Sequence, residues 1–495
     1  MSSVARTYVE EARREKLAAL RDAGVEPFGY SFPRSHTARE AIAQHDVDPQ
    51  VTVQVAGRIV AYRPHGKTTF GHLGDHTGRL QFYARRDELG DVAYDVLKLL
   101  DLGDHIGVTG YMFRTKTGEV TVHAKEIHLL AKALRPPPFG KEDAQGVQHG
   151  VLADTELRYR ERYADLVANP EARETFRLRA RVISYLRRFL DSQGFVEVET
   201  PELQPLYGGA MARPFMTHYN ALDADFYLRI ATELYLKRCI VGGLDRVYEI
   251  GKDFRNEGID RQHNPEFTML EFYQAYADYY DIMRLVETMV HGLVIELFDT
   301  ATIDRFGTTL SFTLPWPRFS YLDLVREHGG VDLRTAEDAV LRATLANRDI
   351  ADLAAIPRTK LIDELFQNFV EPRLTQPCFV VDYPIEISPL AKPKRGDPAL
   401  AERFEFYTQG RELANAFSEL NDPDEQRARF EAQVAARAAG DQEAQQLDED
   451  FIRALEYGMP PTGGCGIGID RLVMLLAERA SIRDVILFPM LRPER

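Results

Sequence analysis

The sequence has little cysteine and no long apolar run, and each shortage excludes a class of protein. Its 495 residues include only three cysteines, Cys239, Cys378 and Cys465, and no two of them are spaced for a Cys-x-x-Cys motif. A disulfide framework and a cysteine-rich zinc module are therefore excluded, and a reducing cytoplasm is expected. No apolar run approaches the roughly 20 residues of a membrane helix, so no membrane contact is expected. Residues 1–24 lack the apolar core of a signal peptide.

Several familiar motifs for phosphate or metal binding are incomplete. Gly66–Thr68 resembles the end of a Walker A loop, but Ala61 stands where that loop requires its first glycine. The alternating glycines of Gly464–Gly468 lack the Gly-x-Gly-x-x-Gly spacing, and His-Glu-x-x-His does not occur. Nothing in the sequence therefore predicts a P-loop, a Rossmann dinucleotide site or a zinc protease.

Basic charge is scarce and unevenly distributed. The chain has 61 basic and 76 acidic side chains and a net charge of −15, which argues against a protein wrapped in nucleic acid. Residues 1–135 hold 19 of the basic and 17 of the acidic side chains, so the negative excess lies beyond residue 135. A near-neutral N-terminal part can still contact a polyanion, although a solvated acidic surface without a partner explains the charge equally well.

The N-terminal part predicts a helix followed by a small β-barrel. Residues 4–23 have the pattern of an amphipathic helix that ends at Gly24. Turn signals then separate five β-like runs: Val51–Val60, Thr69–Leu73, Arg79–Tyr83, Ile106–Phe113 and Val120–Leu129. Five such strands predict an OB-fold within a domain of residues 1–135. Pro136–Pro138 then predicts a stiff linker over 136–150.

Residues 151–495 predict an α+β domain. A helix over 173–192 precedes a strand at 195–199, and a second helix begins near residue 281. Between them, two strands at 246–254 and 266–277 are joined by a polar loop, which predicts antiparallel pairing. Because regular βαβ alternation is absent, an antiparallel sheet with helices is favoured over a doubly wound sheet.

Arginines and glycines in this domain are consistent with a nucleotide site. Arg255 and Glu257 share one face of an extended segment, and arginine suits bidentate contact with a phosphate or carboxylate. Taken alone, this pair is more simply a surface ion pair. The glycines of Gly463–Gly468 would weaken a strand unless something approaches its backbone closely, and a purine ring fits there. Arg471 follows at the start of a helix.

Acidic residues in the same domain suggest cations. Glu271 alternates with apolar residues on one strand face, so it requires a partner, either a structural Lys or Arg or a cationic substrate. Glu405 and Glu412, beside a triphosphate, would imply Mg²⁺; otherwise they are solvated glutamates. Strand parity places Glu412 on the opposite face from Asn415, Phe417 and Glu419, which requires a bulge or a position at the strand mouth.

Three segments in this order resemble motifs 1, 2 and 3 of the class II aminoacyl-tRNA synthetases. They are Gly194–Pro201, Phe254–Gly258 with His263–Thr268, and Gly463–Arg471. Three more segments resemble those of lysyl-tRNA synthetases: Thr115–Glu119, Tyr207–Phe215 and Gly410–Asp422. The resemblance implies an N-terminal OB-fold β-barrel and a C-terminal class II catalytic domain, built on an antiparallel sheet flanked by helices. It also implies a cytoplasmic homodimer, paired through motif 1, that uses L-lysine, ATP, Mg²⁺ and tRNA(Lys).

The resemblance assigns roles to individual residues. The ATP-binding residues would be Arg255, Glu257, His263, Phe267, Glu412 and Arg471. The two arginines would be catalytic, holding the α- and γ-phosphates, and Phe267 would stack on adenine. The lysine-binding residues would be Gly209, Glu233, Arg255, Glu271, Tyr273, Asn415, Phe417 and Glu419. The metal ligands would be Glu405 and Glu412. The anticodon contacts would be Arg63, Phe70, Gln81 and Glu119.

Three alternatives to a lysine-specific enzyme remain open. The same fold could charge aspartate or asparagine, but it would need a cation where Glu271 and Glu419 stand. A non-catalytic paralogue could bind RNA or regulate, although the intact charged positions of the motifs argue against it. A related enzyme could lysylate a protein or a lipid, but the full N-terminal barrel favours tRNA.

Overall fold

The computed structural model describes residues 7–142, 148–350, 352–438 and 445–494. The chain divides into two compact units, Met1–Pro170 and Glu171–Arg495. Among the described residues, no helix is both long enough and apolar enough to cross a membrane.

The first unit is an α-helix followed by a closed five-stranded barrel. Its elements, in chain order, are α1 (Tyr8–Asp22), α2 (Ala38–Val47), β1 (Thr52–His65), β2 (Thr68–Gly74), β3 (Arg79–Arg85), α3 (Arg86–Leu89), α4 (Asp91–Lys98), β4 (His105–Arg114), β5 (Val120–Ala131), β6 (Phe139–Glu142), β7 (Gln148–Val151), α5 (Thr155–Arg160) and α6 (Arg162–Ala168). The barrel order is β1-β2-β3-β5-β4, so each of the five predicted strands is confirmed. Alternate residues of β1, such as Val53 and Val55, fill its core. The predicted N-terminal helix is confirmed from Tyr8, and residues 4–6 lie outside the described residues.

The segment after the prolines is more regular than predicted. Strands β6 and β7 pair antiparallel, and β7 ends at Val151. The proline run predicts only a stiff linker over residues 136–150, where most of this pair lies. Residues 143–147 lie outside the described residues. The first compact unit also continues to Pro170 through α5 and α6. Prolines stop a strand locally but carry no information about the pairing of later residues. The domain borders at 135 and 150 therefore stay predictions.

The second unit is built on an eight-stranded sheet. Its elements are α7 (Pro170–Ser192), β8 (Val196–Glu197), β9 (Leu203–Gln204), β10 (Met216–Tyr219), β11 (Ala224–Leu228), α8 (Glu233–Val241), β12 (Arg246–Phe254), β13 (Glu266–Ala275), α9 (Tyr279–Phe298), β14 (Thr302–Arg305), β15 (Thr308–Ser311), β16 (Arg318–Ser320), α10 (Tyr321–Leu324), α11 (Asp338–Leu345), α12 (Arg358–Phe369), β17 (Cys378–Val381), β18 (Pro393–Lys394), β19 (Asp397–Ala401), β20 (Arg403–Thr408), β21 (Arg411–Ser418), α13 (Pro423–Ala438), α14 (Glu449–Glu456), β22 (Thr462–Gly468) and α15 (Ile469–Leu476). The strand order is β16-β17-β20-β21-β22-β13-β12-β8.

The two faces of this sheet differ in what they carry. Leu270 and Phe272 of β13 join a large core with α7, α9 and α15. The alternate residues of β13, Met269, Glu271 and Tyr273, line a cavity on the other face, as strand geometry requires. Strands β12 and β13 pair antiparallel across the 255–265 loop, which confirms the predicted pairing. The predicted strand at 195–199 is shorter, Val196–Glu197, and lies at the sheet edge.

A β-bulge shifts the pairing of β20 with β21. Asn415 lies opposite Glu405 and Ala414 opposite Phe406, but Tyr407 then pairs with Glu412. Leu413 is therefore the extra residue, and Glu412 shares the cavity face with Asn415 and Phe417. Of the two possibilities that strand parity leaves open for Glu412, the structure has the bulge.

Candidate active site

One cavity of about 410 Å³ in the second unit gathers the predicted ligand-binding residues. Its walls come from β13, β21, β22 and the 255–265 loop, and they include every predicted ATP and lysine contact: Gly209, Glu233, Arg255, Glu257, His263, Phe267, Glu271, Tyr273, Glu412, Asn415, Phe417, Glu419 and Arg471. The metal candidate Glu405 is the exception and is not a wall residue. The sequence motifs thus converge on one site, with acids at one end and arginines at the other.

The acidic end carries Glu271 deep in the wall. The Tyr273 hydroxyl donates to Glu271 Oε2 at 2.9 Å, and the Thr232 N–H reaches Oε1 at 3.4 Å. Burial, together with the nearby carboxylates of Asp253 and Glu233, raises the Glu271 pKa to about 8. A cation placed against this carboxylate would lower its pKa again. Glu271 is therefore a buried acid without a full counter-charge in the described structure.

A buried lysine that the sequence does not single out lies among these acids. Lys237 on α8 donates to Glu233 Oε1 at 2.5 Å and also pairs with Glu419 Oε2. Neither Lys237 nor Glu419 is exposed to solvent. The only local signal is the i,i+4 spacing of Glu233 and Lys237, which on most helices marks a solvent-exposed pair.

Two glycines shape the acidic end for reasons that the structure makes plain. A Cβ at Gly464 would collide with Glu419 Oε1 and the Tyr273 ring, so this glycine makes room for the chain's own side chains rather than for a purine. Gly209 has a left-handed φ of +88°, and its N–H donates to Gln445 Oε1 at 3.2 Å. Gln445 is a buried cavity residue that sequence reasoning missed.

The other end of the cavity presents two guanidinium groups. The Arg255 guanidinium lies 5.0 Å from the centre of the Phe267 ring. Within the described residues, its hydrogen bonds are long ones, 3.4 Å each, to the Ile230 carbonyl. Arg471 donates to Glu412, at 3.1 Å to its carbonyl and 3.2 Å to Oε2. Both guanidinium groups line the cavity, so this end can bind an anion.

Carboxylates collect beside Arg471. Glu405 accepts from the Tyr383 hydroxyl at 2.7 Å, from the Tyr407 hydroxyl at 2.6 Å and from Arg403 at 2.6 Å. Burial and the Glu412 charge raise the pKa of Glu405. Burial, Glu405 and Glu412 likewise raise the pKa of Glu371 to about 7. Within the described ranges, no group of three or more His, Cys, Asp or Glu side chains is arranged to hold a metal by itself.

Arg403 is a third residue, after Lys237 and Gln445, that the sequence gives no reason to select. Its Nε donates to Asn415 Oδ1 at 2.9 Å, and its Nη1 donates to the Ile387 carbonyl at 2.8 Å. This contact fixes the Asn415 amide so that its NH₂ group is left to donate elsewhere. Arg403 lines the cavity, and it lies two residues before Glu405 on β20.

In the first unit, all four predicted anticodon residues line one groove of about 540 Å³ on the barrel. Gln81 donates to Glu119 at 2.6 Å and accepts from Thr121 at 2.7 Å. Phe70 is half-buried, and its ring centre is 4.5 Å from that of Tyr83. Arg63 lies opposite Phe70 across the β1–β2 ladder. An aromatic floor with polar and cationic edges is the arrangement that single-stranded nucleic acid requires.

Comparison with known families agrees with this geometry. A family model for class II tRNA synthetases (D, K and N) matches residues 154–492. A second family model, for the OB-fold nucleic acid binding domain, matches residues 53–130. The chain therefore belongs to the class II aminoacyl-tRNA synthetases of the D, K and N group, and its first unit contains the OB-fold of that second family.

Three individual relatives within this group are all named lysine–tRNA ligase. The chain is 52% identical to a lysine–tRNA ligase of Pelotomaculum thermopropionicum, over 97% of this chain and 94% of that protein. It is 52% identical to the lysine–tRNA ligase of Carboxydothermus hydrogenoformans, over 98% of each chain. It is 53% identical to that of Moorella thermoacetica, over 97% of each chain. These relatives extend over both units.

Proposed function

We propose that the chain is a lysine–tRNA ligase. In the first step, the lysine carboxylate attacks the α-phosphorus of ATP, and pyrophosphate leaves as lysyl-adenylate forms. In the second step, the terminal ribose hydroxyl of tRNA(Lys) attacks the adenylate carbonyl, and AMP leaves. The nucleophile of the first step is already anionic, so positioning and charge neutralisation carry the rate without a protein general base.

The observation that carries the proposal is the acidic end of the cavity. Glu233, Glu271 and Glu419 are buried together with a single lysine, Lys237. When all three carboxylates are ionised, as substrate binding requires, they and one ammonium leave two negative charges, which match the two ammonium groups of free lysine. Glu271 and Glu419 would bind the ε-ammonium, with Tyr273 supporting Glu271 and Phe417 forming the adjoining wall. Glu233 and the Gly209 backbone would bind the α-ammonium.

The arginine end supports ATP as the second substrate. Arg255 would contact the α-phosphate and, with Asn415, the lysine carboxylate, while Arg471 would neutralise the γ-phosphate. Glu257 and His263 would contact the nucleotide from the same loop. Phe267 would stack on the adenine, although Arg255 already lies over its ring. All of these side chains face one cavity, so one bent ATP molecule can reach them.

Mg²⁺ would bind at the carboxylate cluster beside Arg471. The Glu412 charge helps to raise the pKa of Glu405, and Glu405 and Glu412 together help to raise the pKa of Glu371, which is the electrostatic condition that a hard divalent cation relieves. Mg²⁺ characteristically takes one or two carboxylates and completes its shell with phosphate oxygens and water. Glu412 faces the cavity and would contribute directly. Glu405, hydrogen-bonded from three sides, would need to release a donor to bind. When bound, Mg²⁺ would neutralise phosphate charge.

The barrel groove supports tRNA as the third substrate. Phe70 and Tyr83 offer ring faces for unpaired bases, and Arg63, Gln81 and Glu119 supply hydrogen bonds at the groove edge. These residues would read the uridine-rich anticodon of tRNA(Lys).

We further propose that the enzyme is a cytoplasmic homodimer paired through motif 1, since Val196 of that motif lies exposed on the edge strand β8.

Amino-acid-dependent exchange of pyrophosphate into ATP, measured separately with all twenty amino acids, tests this proposal. We expect exchange with lysine and near-background exchange with aspartate and asparagine. The family model covers all three specificities, but a site for an acidic side chain needs a cation at Glu271 and Glu419. Exchange with aspartate would favour the second candidate function, and no exchange with any amino acid would favour a non-catalytic RNA-binding protein.

A further inference from the structure

A buried lysine, Lys237, lies behind the acidic wall of the cavity, in contact with the wall residues Glu233 and Glu419. The assigned substrate contacts leave it without a role. Lys237 has no solvent-exposed surface. Its ammonium contacts Glu233 Oε1 at 2.5 Å and Glu419 Oε2, and it lies 5.5 Å from the centre of the Phe417 ring. A lysine that only satisfied one helix neighbour would not need to bridge two separate elements of the fold.

We propose that Lys237 is a positioning residue for the amino acid, since its ammonium holds one oxygen of Glu233 and one of Glu419. By cancelling one of three negative charges, it leaves a site matched to an amino acid with two ammonium groups. This inference rests on the proposed function.

The Glu419 carboxylate oxygen that Lys237 does not contact supports this role. Glu419 Oε1 has no hydrogen-bond partner within the described part of the chain, and it lies against the bare backbone of Gly464. An unpaired carboxylate oxygen in a dry wall is costly unless a donor completes it. The donor expected here is a substrate ammonium. Lys237 therefore orients Glu419 by one oxygen and leaves the other for the substrate.

The electrostatic interactions within this cluster of acids also support a positioning role for Lys237. Burial alone would drive these acids to their neutral forms, and it raises the pKa of both Glu233 and Glu419. The Lys237 charge opposes that shift, and the two acids in turn raise the Lys237 pKa. Other titratable or charged groups face the cluster: Asp253, Glu271, Tyr273, Arg403 and Cys465. Without Lys237, the empty site would hold three acids and would take up protons to relieve their repulsion.

The test is the pH dependence of lysine activation in K237M, with K237R as the charge-conserving variant. Pyrophosphate exchange is measured against lysine concentration between pH 6 and 9. For K237M we expect kcat/KM for lysine to fall at least about 100-fold at pH 7, mainly through KM, which corresponds to the loss of one partner of a buried ion pair. We also expect the acidic limb of its profile to move to higher pH by about one unit or more. K237R should restore the position of that limb even if its kcat is low.

Controls separate this role from packing and from failure of the proposed function. K252M removes a partly exposed lysine of the same unit, which pairs with Glu266 at 3.4 Å, and should keep the wild-type profile. ATP affinity, measured directly, should be unchanged in K237M. A K237M profile with the wild-type acidic limb would overturn the positioning role and leave Lys237 as a packing residue. Wild-type protein that does not exchange with lysine would refute the proposed function itself.

The role of Lys237 can still be tested if K237M does not fold. If K237M is insoluble, the double variant K237M/E419Q removes one acid together with the cation and should recover a cooperative melting transition. If the double variant is as unstable as K237M, charge compensation is not the role of Lys237.

Discussion

At the scale of single residues, the cavity is organised by charge. Its acidic end has more carboxylates than resident cations, and its other end presents Arg255 and Arg471 to an anion. These residues could be predicted because the chain resembles the motifs of class II synthetases, and strand alternation independently marks Glu271 as an acid that requires a partner. Sequence reasoning could not predict Lys237 or Arg403. An i,i+4 Glu–Lys pair is usually solvated, and nothing local in the sequence links Arg403 to Asn415.

Replacing Arg255 tests the anion-binding end of the cavity. R255A should lower the rate of lysine-dependent pyrophosphate exchange by about 10²–10³, because one guanidinium is expected to contact both the substrate carboxylate and the α-phosphate. The melting temperature should change little, since the hydrogen bonds that Arg255 makes within the described part of the chain are long ones to the Ile230 carbonyl. R261A, an exposed arginine in the same loop, should retain activity. Near-normal exchange by R255A would remove Arg255 from this role.

The Glu271 pKa predicts how lysine binding depends on pH. Because this pKa is raised to about 8 in the empty site, Glu271 is mostly protonated at pH 7 and must lose its proton to pair with an ammonium. Lysine affinity should therefore rise as pH increases from 6 toward 8, and binding at pH 7 should release protons. Calorimetry of lysine binding in buffers of different ionisation enthalpy measures that release.

Replacement of Glu271 provides the matching mutational test. E271Q should reduce kcat/KM for lysine by roughly 10²–10³, from the approximate 3–5 kcal/mol cost of leaving a buried charge half-paired. It should also flatten the pH dependence and should not admit glutamine. E266Q, an exposed acid on the same strand, is the matched control. An unchanged kcat/KM in E271Q would mean that the ε-ammonium binds elsewhere.

At the scale of elements, the strands were the most predictable part of the fold. The five barrel strands and the β12–β13 pair follow from alternation and turn signals, because each strand buries one face. Strict alternation along the strand would place Glu412 on the opposite face from Asn415. The sequence therefore predicted either a bulge or a position at the strand mouth, and the structure has the bulge at Leu413. The β6–β7 pair could not be predicted, because a proline run gives no information about residues that pair beyond it.

The groove on the barrel gives a prediction at this scale. F70A should weaken tRNA(Lys) binding by about 1–3 kcal/mol if the ring stacks on an anticodon base, and it should leave pyrophosphate exchange unchanged because that step needs no tRNA. F32A removes a half-buried phenylalanine of the same unit that is not in the groove, so it controls for lost packing. A lower melting temperature with unchanged tRNA affinity would make Phe70 a structural residue only.

At the scale of the whole molecule, the chain combines two units with different chemistry. The first has a near-neutral charge over residues 1–135, and the second carries the acidic excess and the cavity. Each unit has its own hydrophobic core, which is consistent with separate roles for the barrel and the catalytic site. The linker borders could not be settled from composition, since the first compact unit continues to Pro170.

The proposed homodimer is tested by measuring the mass of the protein in solution. Sedimentation equilibrium should give about twice the 56.3 kDa chain mass, because motif 1 is expected to pair two copies around a two-fold axis. V196D places a charge on the exposed edge strand β8 and should favour the monomer. V92D alters a valine in the first unit that is similarly exposed, and it should leave the mass unchanged. A wild-type monomer at micromolar concentration would refute the dimer.

The proposed reaction ends with lysine attached to tRNA, so a tRNA-charging assay measures its product. Purified protein, ATP, Mg²⁺ and unfractionated tRNA are incubated with labelled lysine, aspartate or asparagine, and acid-precipitable label is counted. We expect label on tRNA with lysine alone, and this labelling should depend on ATP and be lost in R255A. Transfer of aspartate or asparagine, or no transfer of lysine by folded protein, would contradict the proposed function.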